Sequence, residues 1–407
     1  MRAIIVSTIF HPDIAANAKR MRCLAEALHE RGHEVAVLTS FPHYPHGIVP
    51  QEYRGKTVAE EVLDGIRVIR TYTYASPNKT FRNRLLNFLS IMLSAPLGVP
   101  RLESRWDVVV AISPSLPSAI MAYAIAKLKG AALVYDLEDI YPETAIVLNM
   151  LRNPVMIATS KALEKLVYHC ATKIAVISKG FKANLRNKGV PDHKIEIVSN
   201  WTDPELFNSR DGKMTRERYG WTNKFVVMFV GTIGLAQGAE HIVEAARLLS
   251  HVPDIQFVFL GAGVEKPRLE ALVNEYGLRN VIFLPPRSHE EVPDFLSAAD
   301  ACLVHLRRNS LFAITIPSKT YEYMGMGRPI IMGVEGEAAE LVQEAQCGIP
   351  VGPENPEAIA QGIVKLYTDP ELCSRLGQNG RSFALANYTK DKVLERYLDV
   401  LEYAAKL

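Results

Sequence analysis

The stretch RAIIVSTIF, residues 2–10, is apolar at nearly every position, as a strand covered on both faces must be. Helical spacing of apolar residues then runs over 17–31, Gly32 ends it, and HEVAVLTS opens a second apolar run. That order predicts a βαβ unit. Further strand-like runs lie at GIRVIRTYTY, WDVVVAIS, ALVYDLE, KIAVIS and KIEIVSN, and helical patterns span 115–129, 154–170 and 179–188. Strands alternating with helices predict a mainly parallel sheet with helices on both faces.

From Asp203 to Trp221 the pattern lapses into DPELFNSRDGKMTRERYGW, which predicts a linker and a short helix. A second alternating series begins with FVVMFVGTIG and continues through QFVFLGAG, NVIFLP, ACLVHL, PIIMGV and GIPV. The chain therefore reads as two α/β domains of comparable size with a crevice between them. Apolar residues at three and four spacing from Val393 predict a terminal helix whose neighbour periodicity does not identify. Open parallel sheets bind ligands outside the carboxyl ends of their strands, so the loops there are where chemistry is expected.

The 407 residues are 48% hydrophobic and 22% charged, which suits a folded soluble chain of two domains. Basic and acidic residues number 46 and 44, a balance that argues against a nonspecific nucleic-acid binder. Five scattered cysteines without a CxxC pair fit a reducing, cytoplasmic compartment, and the amino terminus reads as a core strand rather than a signal peptide. The run FLSIMLSAPLGVP is shorter than the roughly 20 residues a spanning helix needs. Beside it, Lys79, Arg82, Arg84, Arg101 and Arg105 mix with Phe81, Leu85, Leu86 and Phe88. Two readings stay open there, an anionic membrane face and an ordinary helix packed on its own domain.

Two glycine turns follow strands in the second half, FVGTIGLAQG and FLGAGVEKPRLEAL, with Gly231, Gly234, Gly261 and Gly263. Such turns let backbone N–H groups approach a phosphate, although neither matches the Walker or dinucleotide pattern and a purely structural turn fits as well. DLEDIYPETA packs Asp136, Glu138, Asp139 and Glu143 at a strand end, as acid and base or as a solvated loop. No histidine lies among them, so no metal site is expected. SFPHYPHG places His43, Tyr44 and His46 after the second strand, and His11 follows the first. In TIPSKTYEYMGMGRPI, Lys319 and Glu322 are either a solvated helix start or ligand contacts.

Taken in order, LTSFPHYPHG, DLEDIYPETA, GTIGLAQG and IPSKTYEYMGMGRPI resemble retaining, nucleotide-sugar-dependent glycosyltransferases of family 4, which have the GT-B fold. The nearest subgroup resembles enzymes of O-antigen, capsule and colanic acid synthesis, including N-acetyl-L-fucosaminyl transferases. The resemblance implies two facing Rossmann-like parallel-sheet domains, an acceptor-side domain of 1–203 completed by about 386–407, and a nucleotide-sugar domain of 204–385. The terminal helix would cross back to the amino-terminal domain, and closure would align the substrates. Implied partners are a UDP-sugar, with an N-acetylated or deoxy sugar, and a polyprenyl-diphosphate-linked or other glycan acceptor. That acceptor favours the membrane-facing reading of 79–105 and a peripheral location on the inner face of the cell membrane. No metal or cofactor is expected.

By the same resemblance, Glu322 matches the second glutamate of the EX7E motif and would bind the ribose hydroxyls. The first glutamate is replaced by Ile314, which leaves Thr315, Ser318 and Lys319 as substitutes near the donor. Lys319 would offset charge on the departing diphosphate. GTIGLAQG offers Thr232 and Gln237 where many relatives use Arg and Lys, so backbone donors, Lys319 and Arg268 carry more of that task. Asp139, with Glu143 beyond it, would orient the donor or handle the acceptor proton as positive charge develops on the sugar ring. His11, Asn17, His43 and Tyr44 are the expected substrate contacts, with Lys19 and Arg20 also near phosphate or acceptor. Competing readings are a noncatalytic nucleotide-binding member and a nucleotide-sugar epimerase.

Overall fold

Strands β1 (Arg2–Val6), β2 (Glu34–Ser40), β3 (Val58–Leu63), β4 (Ile66–Thr71), β5 (Val108–Ile112), β6 (Ala132–Leu137), β7 (Lys173–Val176) and β8 (Ile195–Ile197) make one sheet in the order β3-β4-β2-β1-β5-β6-β7-β8. The computed structural model describes residues 1–78, 80–208 and 210–407, without the side chains of Phe81 and Arg84. The membrane contacts expected of Lys79, Phe81 and Arg84 therefore lie outside the described residues. The sheet is parallel except at β3, which pairs antiparallel with β4 and was not foreseen from the sequence. Asp64 and Gly65 make the turn at φ 52° and 82°, the left-handed pair that suits a two-residue hairpin.

A second, wholly parallel sheet holds β9 (Phe225–Val230), β10 (Ile255–Leu260), β11 (Val281–Leu284), β12 (Ala301–His305), β13 (Ile330–Gly333) and β14 (Gly348–Pro350), ordered β11-β10-β9-β12-β13-β14. Every residue of β5, β10 and β12 is buried, which is why these strands read as continuous apolar runs. The chain divides into one unit of Met1–Val198 with Leu394–Leu407 and another of Ser199–Val393. Among the described residues no helix is long and apolar enough to cross a membrane.

The terminal helix Lys390–Ala405 buries Tyr397, Leu398, Leu401 and Ala404, and its part from Leu394 belongs to the amino-terminal unit. The Tyr397 hydroxyl donates to Asp136 Oδ2 at 2.7 Å. Arg20 holds the same carboxylate through Nε at 2.7 Å and Nη2 at 3.3 Å, and gives Nη2 also to the Val198 carbonyl at 3.0 Å. Arg20 and Asp136 are 2% and 0% exposed, and stranding either charge would cost about 3–5 kcal/mol. Arg20 is therefore a latch for the carboxyl-terminal helix, a correction to its expected place beside a phosphate or acceptor.

Candidate active site

In the amino-terminal unit the candidate residues stand in the loops that leave β1, β2 and β6. Asp13, buried and unflagged by the sequence, accepts the His43 and Tyr44 N–H groups on Oδ1, both at 2.8 Å. It thereby ties the loop after β1 to the SFPHYPHG loop after β2. Burial pushes its carboxyl up, against the pull of His43 and the two N–H bonds. His43 Nδ1 meets the Phe41 carbonyl at 2.9 Å and Nε2 meets Asn87 Nδ2 at 3.0 Å. Exposed His11 is held below the usual imidazole range by partial burial, then by Arg22 and Arg70. The Asn17 side chain takes the N–H of neighbouring Ala18 at the start of the first helix.

The acidic loop is fixed from the next strand. Ser113, just past β5, accepts the Glu138 and Asp139 N–H groups at 2.9 and 3.0 Å. The Thr144 hydroxyl donates to Asp139 Oδ1, which sets the carboxylate's direction. Glu143 opens a short helix and pairs with Lys188 at 2.9 Å. Glu138 differs from its neighbours, since burial lifts its carboxyl to about 7 against Arg20, 3.6 Å away, while Asp136 and Asp139 reinforce the rise. A carboxyl poised near neutrality at a strand end suits proton transfer. The sequence showed the cluster but not which member burial would shift.

In the carboxyl-terminal unit the two glycine turns lie against one another. A Cβ on Gly261 would fall 1.9 Å from the Gly231 carbonyl oxygen, and one on Gly263 1.9 Å from that of Ile233. These two glycines are explained by loop-to-loop contact, sealed by the Ile233 N–H donating to the Ala262 carbonyl at 2.9 Å. Gly231 has φ 110° and faces Lys319, whose Nζ would lie 3.5 Å from a Cβ there. Gly234 starts the tight turn 235–237, and its N–H donates to Gln237 Oε1 at 3.0 Å. Arg268 is half exposed and paired with Glu265 at 2.7 Å and Glu240 at 3.2 Å.

Lys319 and Glu322 occupy the helix Lys319–Gly325, with Ser318 at its cap position. The Lys319 ammonium sits 3.8 Å from the centre of the Phe229 ring, and among the described residues no carboxylate or carbonyl takes a hydrogen bond from it. Burial lowers it to about 7, partly countered by Glu322. Gly231, Gly234, Gln237 and Lys319 are thus brought together at the carboxyl ends of β9 and β12, while Arg268 points its charge at glutamates. A cavity of about 550 Å³ lies elsewhere in this unit, at the amino ends of β9, β12 and β13. Its Arg328 and Arg381 are engaged with backbone carbonyls, so it is not the candidate site.

Comparison with known proteins identifies the kind of protein to which these two units belong. Residues 18–201 match the family described as Glycosyl transferase 4-like domain, and residues 213–383 match Glycosyl transferases group 1. WcaI of Escherichia coli strain K12, described as a colanic acid biosynthesis glycosyl transferase, is 27% identical over 98% of this chain and 99% of its own. The glycosyltransferase WbjE of Pseudomonas aeruginosa is 27% identical over 78% and 80%. The crystal structure of Anabaena Alr3699/HepE with UDP and glucose superposes with a TM-score of 0.75 at 16% identity, covering 99% of each chain. The two sheets, the returning terminal helix and both family matches give one conclusion: the chain is a glycosyltransferase of the GT-B superfamily, related to the family 4 transferases of colanic acid and O-antigen assembly.

Proposed function

We propose that the chain transfers a sugar, N-acetylated or deoxy, from a UDP-sugar to a polyprenyl-diphosphate-linked sugar or similar glycan in cell-surface polysaccharide synthesis, with retention at the anomeric carbon. The observation that carries this reading is Lys319, a partly buried lysine beneath a glycine turn at a strand end, with no hydrogen-bond acceptor among the described residues. A desolvated ammonium in that setting suits a diphosphate, whose charge grows as the sugar leaves. Glu322, in the first turn of the same helix, is assigned to the ribose hydroxyls. Asp139 is assigned to the donor sugar or the acceptor proton, with Glu138 and Glu143 beside it. A carboxylate there stabilises positive charge on the ring as the glycosidic bond to the diphosphate breaks. His11, Asn17, His43 and Tyr44 are assigned to substrate contacts, and no metal is assigned a role.

UDP is favoured over GDP by the subgroup resemblance, and the HepE structure holds UDP. A lipid-linked acceptor accounts for the surface of the helix Phe81–Ser94 and the turn after it. There Leu86, Leu93 and Leu97 are exposed at 37%, 72% and 49%, with exposed Arg82, Arg101 and Arg105 nearby. Calorimetry with UDP, GDP and UDP-GlcNAc, with and without magnesium, tests the donor assignment. UDP-selective binding that persists without magnesium is the expected result, and its absence in folded protein would overturn the reading. Replacing Arg82 and Leu93 with Glu should weaken binding to anionic vesicles while leaving UDP affinity intact.

A further inference from the structure

Between Gly231 and Gly238 the candidate diphosphate loop carries Thr232, Ile233, Leu235, Ala236 and Gln237 and no basic side chain. Its contacts with phosphate must come from backbone N–H groups, whose direction follows from where the carbonyls of the same peptides point. Three consecutive carbonyls are held from one side, the end of β12. Arg307 Nε donates to the Leu235 carbonyl at 2.7 Å, the Arg307 backbone N–H to that of Ala236 at 2.8 Å, and His305 Nδ1 to that of Gln237 at 2.6 Å. A trans peptide sets its N–H opposite its C=O, so the N–H groups of Ala236 and Gly238 are turned away from β12.

We propose that His305 and Arg307 are positioning residues for nucleotide-diphosphate recognition, holding back the carbonyls of 235–237 so that the loop presents N–H groups to the phosphates. This rests on reading the glycine loop as the diphosphate site. His305 is 1% exposed, and its tautomer is determined by its neighbours. Nε2 accepts the Glu354 N–H at 3.0 Å, so the proton must sit on Nδ1, where the Gln237 carbonyl takes it. Burial also lowers its basicity to about 4, which keeps the ring neutral and this arrangement fixed at physiological pH. The ring occupies space that glycines leave open, since Cβ atoms on Gly238 and Gly333 would fall 3.2 and 2.4 Å from it. Arg307 has a second task. Its Nη2 pairs at 2.5 Å with Glu240, just past the loop, and Arg268 reaches the same carboxylate. That acid is thereby neutralised where it would repel a phosphate.

Two variants of His305 separate positioning from packing. In His305→Asn the amide nitrogen stands near the Nδ1 position and still donates to Gln237, while in His305→Gln the amide stands near Nε2 and serves only Glu354. UDP affinity, read by calorimetry, should fall about tenfold in His305→Gln and by less than about threefold in His305→Asn, from the loss or retention of one hydrogen bond. Urea midpoints should be lowered alike in both, and uridine binding, read by ligand-observed NMR, should be unchanged. Equal UDP affinities in the two variants, or an equal loss for uridine, would overturn the inference. Lys319→Met is the control. If UDP affinity is unmoved by that change, the diphosphate site itself is wrongly placed and the inference falls with it. If Lys319→Met weakens UDP but the two His305 variants behave alike, only the role of His305 fails.

Discussion

If Lys319 meets the diphosphate as proposed, nucleotide affinity must depend on pH in a way that can be calculated. In the empty site burial holds its ammonium at about 7, with Glu322 the main opposing influence. A bound diphosphate restores a partner, and the bound-state value should return to the ordinary lysine range near 10.5 or above. Protein binding nucleotide at about pH 8 to 9 must then take up close to one proton, and affinity must fall as pH rises. With values of about 7 empty and about 10.5 bound, UDP affinity should drop roughly 20-fold between about pH 7.5 and pH 9. That window lies above the range in which a terminal phosphate titrates, so the nucleotide adds little of its own slope. Calorimetry in buffers of different ionisation enthalpy reads both the affinity and the proton uptake. A flat profile, or the same slope in Lys319→Met, would refute the reasoning.

The same depressed value has the opposite sign for stability. Between about 7 and 10.5 the unfolded chain holds a proton on Lys319 that the empty folded chain does not, so this group's contribution to stability rises with pH across that window. Lys319→Met should therefore raise the melting temperature of the empty protein at neutral pH while abolishing stabilisation by UDP. A lysine that merely decorated the surface would do neither.

Glu322→Gln should weaken UDP binding by about 1.5–3 kcal/mol through loss of charge-assisted bonds to the ribose, and calorimetry showing unchanged affinity would remove the assignment. Asp139→Asn should lower turnover about 100-fold or more with UDP affinity nearly unchanged, measured as sugar transfer to a lipid-linked acceptor, and normal turnover would return the loop to a structural role. Gly261→Ala places a methyl group 1.9 Å from the Gly231 carbonyl oxygen, so the two glycine loops must separate. It should cost more than about 2 kcal/mol in urea denaturation and reduce UDP affinity in the protein that still folds.

What the sequence disclosed, and what it withheld, follows from the range of each interaction. Strands buried on both faces were legible as apolar runs, and glycines marked their ends. The edge strand β3 was not, because VAEEVL is only partly buried and its hairpin signal rests on Asp64 and Gly65 alone. Candidate residues were legible where strand ends, prolines and glycines bracketed them, as at His43, Asp139 and Gly231. Their partners were not. Asp13 grips a loop 30 residues ahead, His305 one 68 residues behind, and Tyr397 meets Asp136 across 261 residues. Periodicity cannot report such pairings. The strand-end rule would have flagged His305, the last residue of β12, had its side chain been weighed with the glycine loops.

On the proposed reading, the absence of Lys and Arg from the glycine loop is a relocation of charge. Positive charge stands on Lys319, beneath Gly231 and against the Phe229 ring, while Arg307 and Arg268 are committed to Glu240. An arginine on the loop would stay ionised at all relevant pH values and would remain hydrated when the site is empty. A desolvated lysine does neither, so it charges fully only when an anion arrives. The backbone must then supply the fixed part of the recognition, and it can do so only if the loop's carbonyls are turned away from the phosphates. His305 and Arg307 hold those carbonyls from the end of β12, so on the proposed reading recognition by Lys319 depends on two residues whose shown bonds go to the loop backbone and to Glu240.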